Sequence, residues 1–311
     1  MSRWADICCG SGALTLELLS HGRVQPPAAY LGGKRAYAAD IIRLMGGYAR
    51  PSSVVLCDAG PWGWWWHTVL VEGCGAAVAD ALDALAERPE QGADLHRALA
   101  AEGGTGPAER AAAFLAMQAS AARGRPVLPD GRGWKTPGYA HLSNAARAKG
   151  FAERLRPRRL AARVRAILAI DWPPVTVVHG DAANAPLGAG RAVIDPPYQG
   201  TTGYGCDLTR PRVVALAERH AAAGALVGVC EAGPVADLPG WHAVRLRRDG
   251  WQRRLAPVRE TLTLSAPPEP RQLPLMLAAP ATHRSSACSG WASTSSDSAT
   301  VTSCSASTPL V

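Results

Sequence analysis

Seven short apolar runs punctuate the chain, at 3–8, 53–57, 175–179, 192–194, 225–230, 242–247 and 258–264. Most end in Gly, Asp or Pro, the residues a parallel sheet places in its loops, so each run predicts a buried strand. Between them the spacing of apolar positions shifts to the helical period. Residues 13–20 follow a Gly-rich turn and predict a helix, as do 212–223. Residues 35–44 do the same, with Ala38, Ile41, Ile42 and Met45 on one face. Strand–helix alternation predicts a doubly wound α/β sheet.

Two regions break the rhythm. Residues 74–170 are Ala-rich and helical in pattern, with Gly/Pro interruptions at 103–107 and 124–133, and they end in a basic stretch. From 267 onward the composition changes, and 285–308 is rich in Ser and Thr with almost no charge. Such a segment buries too little apolar surface to offset ordering entropy and predicts a disordered tail. The expected organisation is therefore a sheet domain in two parts, 1–73 and 171–266, a helical basic insertion at 74–170, and a low-complexity tail at 267–311.

Composition adds the partner class. The 311 residues are 47 % hydrophobic, enough for one sizeable core. The net charge of +8 suits a polyanion. Its distribution is sharper: 131–165 holds ten Lys/Arg against one acid, Glu153, a net of +9. The eight cysteines form no CxxC pair and no zinc-finger spacing with His, so reduced thiols, a cytoplasmic setting and no metal centre are expected. Arg3, Asp6 and Glu17 interrupt any signal-peptide pattern. No apolar run reaches the ~20 residues of a membrane helix, so no membrane partner is expected.

Asp195-Pro196-Pro197-Tyr198 follows the apolar run Ala192-Val193-Ile194, at the carboxyl end of a predicted strand, where open α/β sheets bind ligands. An exocyclic base amine is a poor nucleophile because its lone pair is delocalised into the ring. A carboxylate and a backbone carbonyl that accept its two N–H groups pull the nitrogen toward sp³ and free that lone pair. Proline removes a competing N–H and stiffens the loop, and Tyr198 offers a face for an extruded base. The same four residues also make an ordinary turn after a strand.

Other loops support a ligand site. Asp6-Ile7-Cys8-Cys9-Gly10-Ser11-Gly12 joins the first strand to a helix; its glycines permit close backbone approach, and Asp6 is placed to accept from an ammonium. Leu14, Thr15 and Leu16 follow where a dinucleotide fingerprint needs a third glycine. Tyr30-Leu31-Gly32-Gly33-Lys34-Arg35 offers backbone N–H groups and a cation, without Walker A spacing. Asp58 and Asp181 close two further strands, and read either as acceptors for ribose hydroxyls and an adenine amine respectively, or as helix N-caps. Pro61-Trp62-Gly63-Trp64-Trp65-Trp66 reads as core packing or as a wall of the site. In the basic stretch, Lys135, Arg147, Lys149, Arg156, Arg158 and Arg159 interleave with Trp134 and Tyr139, as phosphate contacts and base wedges would, or as a solvated helix face. A second arginine cluster spans 245–259.

Together these motifs resemble the DNA adenine (N6) methyltransferases of bacteria and phages that carry GxG, GGK and DPPY loops. The resemblance runs from about Asp6 to Leu264, with the insertion matching only in character. It implies a Rossmann-like, S-adenosylmethionine-dependent methyltransferase sheet of about seven strands with an antiparallel last hairpin, and a base flipped out of duplex DNA. It sets Asp6, Gly10, Gly12 and Lys34 around the cofactor, where the strand-end reading also puts Asp58 and Asp181, and Asp195 to Tyr198 around the base. No obligate protein partner is expected. Two departures stand out: in the family GGK usually precedes GxG, whereas Lys34 follows Gly12 here, and Cys8 replaces the family's aromatic two residues before the first glycine. Alternatives of the same or other classes are a cytosine N4 methyltransferase, a protein or RNA methyltransferase, and a catalytically inactive DNA-binding relic.

Overall fold

A computed structural model describes residues 2–30, 32–90, 93–121, 125–130, 133–135, 156–188, 190–198, 208–246 and 260–269. The chain divides into one unit, Met1–Leu273, and a second, Pro274–Val311, that lies wholly outside the described residues, as does most of the predicted tail.

All seven predicted strands form, with no end displaced by more than three residues: β1 Trp4–Ile7, β2 Val54–Asp58, β5 Val175–His179, β6 Arg191–Ile194, β7 Leu226–Glu231, β8 His242–Arg245 and β9 Thr261–Leu264. They make one mixed sheet in the order β5-β2-β1-β6-β7-β9-β8. The first five are parallel, and β9 runs antiparallel to both β7 and β8. β1, β2 and β6 are buried at every residue, which is why they read as unbroken apolar runs rather than as alternating ones. Successive residues face opposite cores: Trp4, Leu56 and Val193 join one, Ala5, Ile7, Val55 and Ile194 the other.

The two faces are covered unequally. α8 (Arg210–Ala222) packs Val213, Leu216 and Ala217 on the second core. The first receives α1 (Ala13–Ser20), α2 (Ala38–Leu44), α3 (Pro61–Trp66) and the helices of the central region. There the helical insertion expected at 74–170 packs into the same core. Residues 74–170 hold α4 (Gly75–Ala86), α5 (Ala93–Glu102), α6 (Pro107–Ser120) and α7 (Pro157–Leu168). Val78, Leu82, Phe114, Leu115, Leu160 and Val164 share one apolar cluster with Trp4, Leu56 and Trp62. The region is a long crossover between the adjacent parallel strands β2 and β5, built into the core. It also contains a short antiparallel hairpin, β3 (Leu128–Asp130) with β4 (Gly133–Lys135), where the sequence pattern predicted only an interruption.

The tryptophan run is core. Trp62, Trp65 and Trp66 are fully buried on α3, which continues into a π-helical turn, His67–Val71. Trp62 meets Tyr30, Phe114 and Trp65 edge-on, at centroid separations of 5.9, 5.1 and 5.7 Å, the geometry aromatic quadrupoles favour. Among the described residues no helix is long and apolar enough to cross a membrane.

Candidate active site

Strand order reverses between β1 and β6, so the loops leaving their carboxyl ends diverge and open a crevice. Four adjacent strands each bring an aspartate to this end: Asp181 just beyond β5, Asp58 closing β2, Asp6 near the end of β1 and Asp195 just beyond β6. All four line one cavity of about 430 Å³, together with Gly10, Lys34 and Tyr198.

The first glycine loop is clamped from two sides. Cys8, Gly10 and Gly12 adopt positive φ (61°, 49° and 71°), turning the chain sharply from β1 into α1. The Gly10 amide donates to Asp58 Oδ2 at 2.9 Å, and Trp66 Nε1 donates to the Gly10 carbonyl at 2.9 Å. Asp58 Oδ1 accepts from the Gly60 amide at 2.8 Å. Asp58 thus ties the loops after β1 and β2 together as well as facing the cavity. Packing within the protein gives a further reason for glycine here. A Cβ on Gly10 would lie 2.8 Å from the Tyr30 ring, and one on Gly12 would lie 2.4 Å from Trp66. The obstacle is the protein's own aromatic support, and Gly12 does not line the cavity.

Asp6 is 1 % exposed, and its Oδ2 accepts from Thr15 Oγ1 at 2.8 Å and from the Thr15 amide at 3.3 Å. Burial pushes its carboxyl up to about 7; the Thr15 hydrogen bonds oppose the shift, and Asp195 and Asp58 add to it.

The second glycine loop leads into a 3₁₀ turn, Lys34–Ala36, and delivers Lys34 to the same cavity despite the altered order of motifs. Lys34 is 3 % exposed. Its Nζ lies 2.6 Å from Asp195 Oδ1, donates to the Gly32 carbonyl at 2.6 Å, and sits 3.8 Å from Glu260 Oε1. Burial disfavours its charge, but Asp195 and Glu260 outweigh that and raise it above the ordinary lysine value. Its ammonium also lies 4.8 Å from the centroid of the Tyr198 ring, a cation–π contact. Lys34, expected beside the cofactor, thus contacts Asp195 and Tyr198 of the DPPY loop as well as Gly32 and Glu260.

That loop is held at its root, where the Asp195 amide donates to the Ile7 carbonyl at 2.9 Å. Pro196 and Pro197 line the cavity beside it. The Tyr198 hydroxyl bonds to Glu260, a residue the sequence pattern did not single out. Glu260 is 4 % exposed at the entry to β9; burial pushes it up to about 7, with Lys34 opposing and Asp195 reinforcing. The available signal was a lone acid entering the apolar run Thr261–Leu264. Tyr30 is a second omission. Its ring lines the cavity beside Gly10, supplying an aromatic surface near the position where Cys8 offers none.

Asp181 lies at the cavity wall, but its oxygens already have partners. Oδ1 caps the Ala183 amide at 2.9 Å, and Oδ2 pairs with Arg212 of α8. Its N-cap reading holds.

Of the predicted DNA contacts, Arg147 and Lys149 lie outside the described residues. Lys135 is exposed at the end of β4, and Arg156 and Arg159 are exposed at the start of α7. Arg158 is exposed and pairs with Glu87. Arg165 likewise bonds Asp80 at 2.8 Å and Asp83 at 2.7 Å. Asp80, Asp83 and Glu87 recur at helical spacing along one side of α4, beside α7, so this side of the basic helix is already neutralised.

Set beside known proteins, the chain matches no family model and no curated protein.

Proposed function

We propose that this chain transfers a methyl group from S-adenosylmethionine to the exocyclic amine of a base flipped out of duplex DNA, N6 of adenine, on a Rossmann-like methyltransferase sheet. The observation that carries the reading is the convergence of three loops on one cavity at the strand-order reversal: Gly10 after β1, Lys34 after the second glycine pair, and Asp195 to Tyr198 after β6.

The donor set fits the cofactor. S-adenosylmethionine is cationic and rich in N–H and O–H donors. The cavity offers it the buried carboxylate of Asp6, a lining carboxylate at Asp58, the Gly10 backbone and the Tyr30 ring. It supplies a methyl already activated for transfer. What remains for the chain is positioning and polarisation of the amine. Asp195 is the acceptor for that amine, and Tyr198 provides the stacking face. In the described state an ammonium, that of Lys34, occupies Asp195 Oδ1 as an incoming amine would. Glu260, 3.8 Å from the same ammonium, is the second carboxylate able to retain Lys34 when a base takes its place.

Incubating the protein with methyl-labelled cofactor and duplex DNA, then digesting to nucleosides, tests this. Labelled N6-methyladenine is expected. Labelled N4-methylcytosine would keep the reaction class and change the base. Absence of label from DNA at several-fold excess of enzyme would overturn the proposal.

A further inference from the structure

We infer that Arg35, Arg159 and Arg163 form a binding site for a phosphodiester of the DNA backbone beside the target base, an assignment that rests on the DNA reading above. The arginines of α7 fall on two sides. Arg158 and Arg165, seven residues apart, share the side met by the α4 carboxylates. Arg159 and Arg163, four residues apart, share another, turned away by a little over a third of a circle, about 130°, at 3.6 residues per turn. Among the described residues no carboxylate pairs with either of them or with Arg35.

The three converge. Arg163 is half-buried, and its Nη1 donates to the Pro27 carbonyl at 3.0 Å, which docks α7 against the segment leading into the second glycine loop. Burial, then the positive charges of Arg159 and Arg35, hold Arg163 below the ordinary arginine value, as expected of like charges brought together. Arg35 is exposed, whereas its neighbour Lys34 is buried against Asp195. One dipeptide therefore buries one cation in the cavity and leaves the next exposed. Clustered guanidiniums repel one another until an anion arrives, and their planar forks match phosphate oxygens. A phosphate bound here lies one residue along the chain from the side chain that holds the catalytic carboxylate, so backbone binding and base placement share a rigid element.

The test is binding to a fixed duplex over a salt series for four proteins: wild type, Arg35→Ala/Arg159→Ala, the same with Arg163→Ala added, and Arg158→Ala/Arg165→Ala. Each phosphate neutralised adds about −0.9 to the log–log slope, so loss of this one site should flatten it by about 1 in the double and the triple variant alike, with affinity down at least about tenfold. The Arg158/Arg165 variant should keep the wild-type slope. The double variant decides, because both its side chains are exposed; an unchanged melting temperature and cofactor affinity confirm that it folds. Wild-type slope and affinity in the double variant would overturn the site while leaving the DNA reading intact. Failure of the wild type to bind duplex would overturn both. Displacement of the duplex by inorganic phosphate at constant ionic strength would assign the arginines to a free anion instead.

Discussion

The molecule keeps ionisable side chains in two settings, and they behave oppositely. At the carboxyl end of the sheet, Lys34 and Glu260 are buried, Lys34 only 3 % exposed, and Asp195, paired with Lys34, is 16 % exposed. On α7, Arg158 and its partner Glu87 are 73 % and 68 % exposed. Burial makes each pairing in the first group decisive: removing one partner strands a charge in a low-dielectric site, which typically costs about 3–5 kcal/mol. Water screens the second group, where a pair contributes about 0.2–1 kcal/mol. A charged residue type in the sequence thus says little until its setting is known.

The largest expected effect is at Asp195. Asp195→Ala should abolish methyl transfer, because Asp195 is the carboxylate assigned to the amine, while cofactor affinity stays within a few-fold. The stability loss should fall below the full cost of a stranded charge, since Glu260 remains 3.8 Å from Lys34. Turnover near wild type in a single-turnover assay would remove Asp195 from the chemistry and make the buried group purely structural.

Next comes Gly12→Val. Left-handed strain costs about 1–3 kcal/mol and overpacking against Trp66 about as much again, so the melting temperature should drop by roughly 5–20 °C. Weakened cofactor binding with unchanged melting would return Gly12 to the ligand.

The buried acids also predict how pH acts. Asp6 and Glu260, each raised to about 7 from ordinary values of 3.8 and 4.5, keep their protons in the folded protein over a range where the unfolded chain has lost them. Their contribution to stability is complete below the unfolded values and declines as pH rises through about 7. Cofactor binding runs the other way. A cation needs Asp6 ionised, so below about pH 7 a proton must leave, and affinity should fall by up to about tenfold per pH unit. Urea unfolding and calorimetric titration across this range measure the two trends. An affinity flat with pH would show that Asp6 does not meet the cation.

The sequence revealed one setting better than the other. Every strand of the large sheet was legible, because β1, β2 and β6 are buried on both faces and leave unbroken apolar runs. The DPPY loop and the first glycine loop were legible for a related reason: strand ends confine chemistry to a few positions. Glu260 was not, because it acts through a non-local pairing that brings β9 beside β7. The purpose of Gly12 was hidden in the same way, since Trp66 reaches it from another element. On α7, composition exposed a row of arginines, but only the packing of α4 alongside separated those with partners from those without.

The smallest effect sharpens the comparison most. Arg158→Ala removes an exposed pair with Glu87, and Arg165→Ala removes contacts to Asp80 and Asp83. Each should cost under about 1 kcal/mol, with Arg165 the larger because its guanidinium spans two carboxylates. The contact between α4 and α7 does not rest on these charges, since Val78 and Leu82 face Leu160, Val164 and Ile167 inside the same apolar cluster. Leu160→Ala should therefore cost about 2–5 kcal/mol, several times either arginine variant. Chemical denaturation of the three variants side by side, with a double-mutant cycle on Arg165 and Asp83, gives the ratio. If the arginine variants matched Leu160→Ala, the ion pairs of α7 would be structural anchors like Lys34 and Asp195. The contrast between buried and exposed charge would then fail at the helix where it is most easily measured.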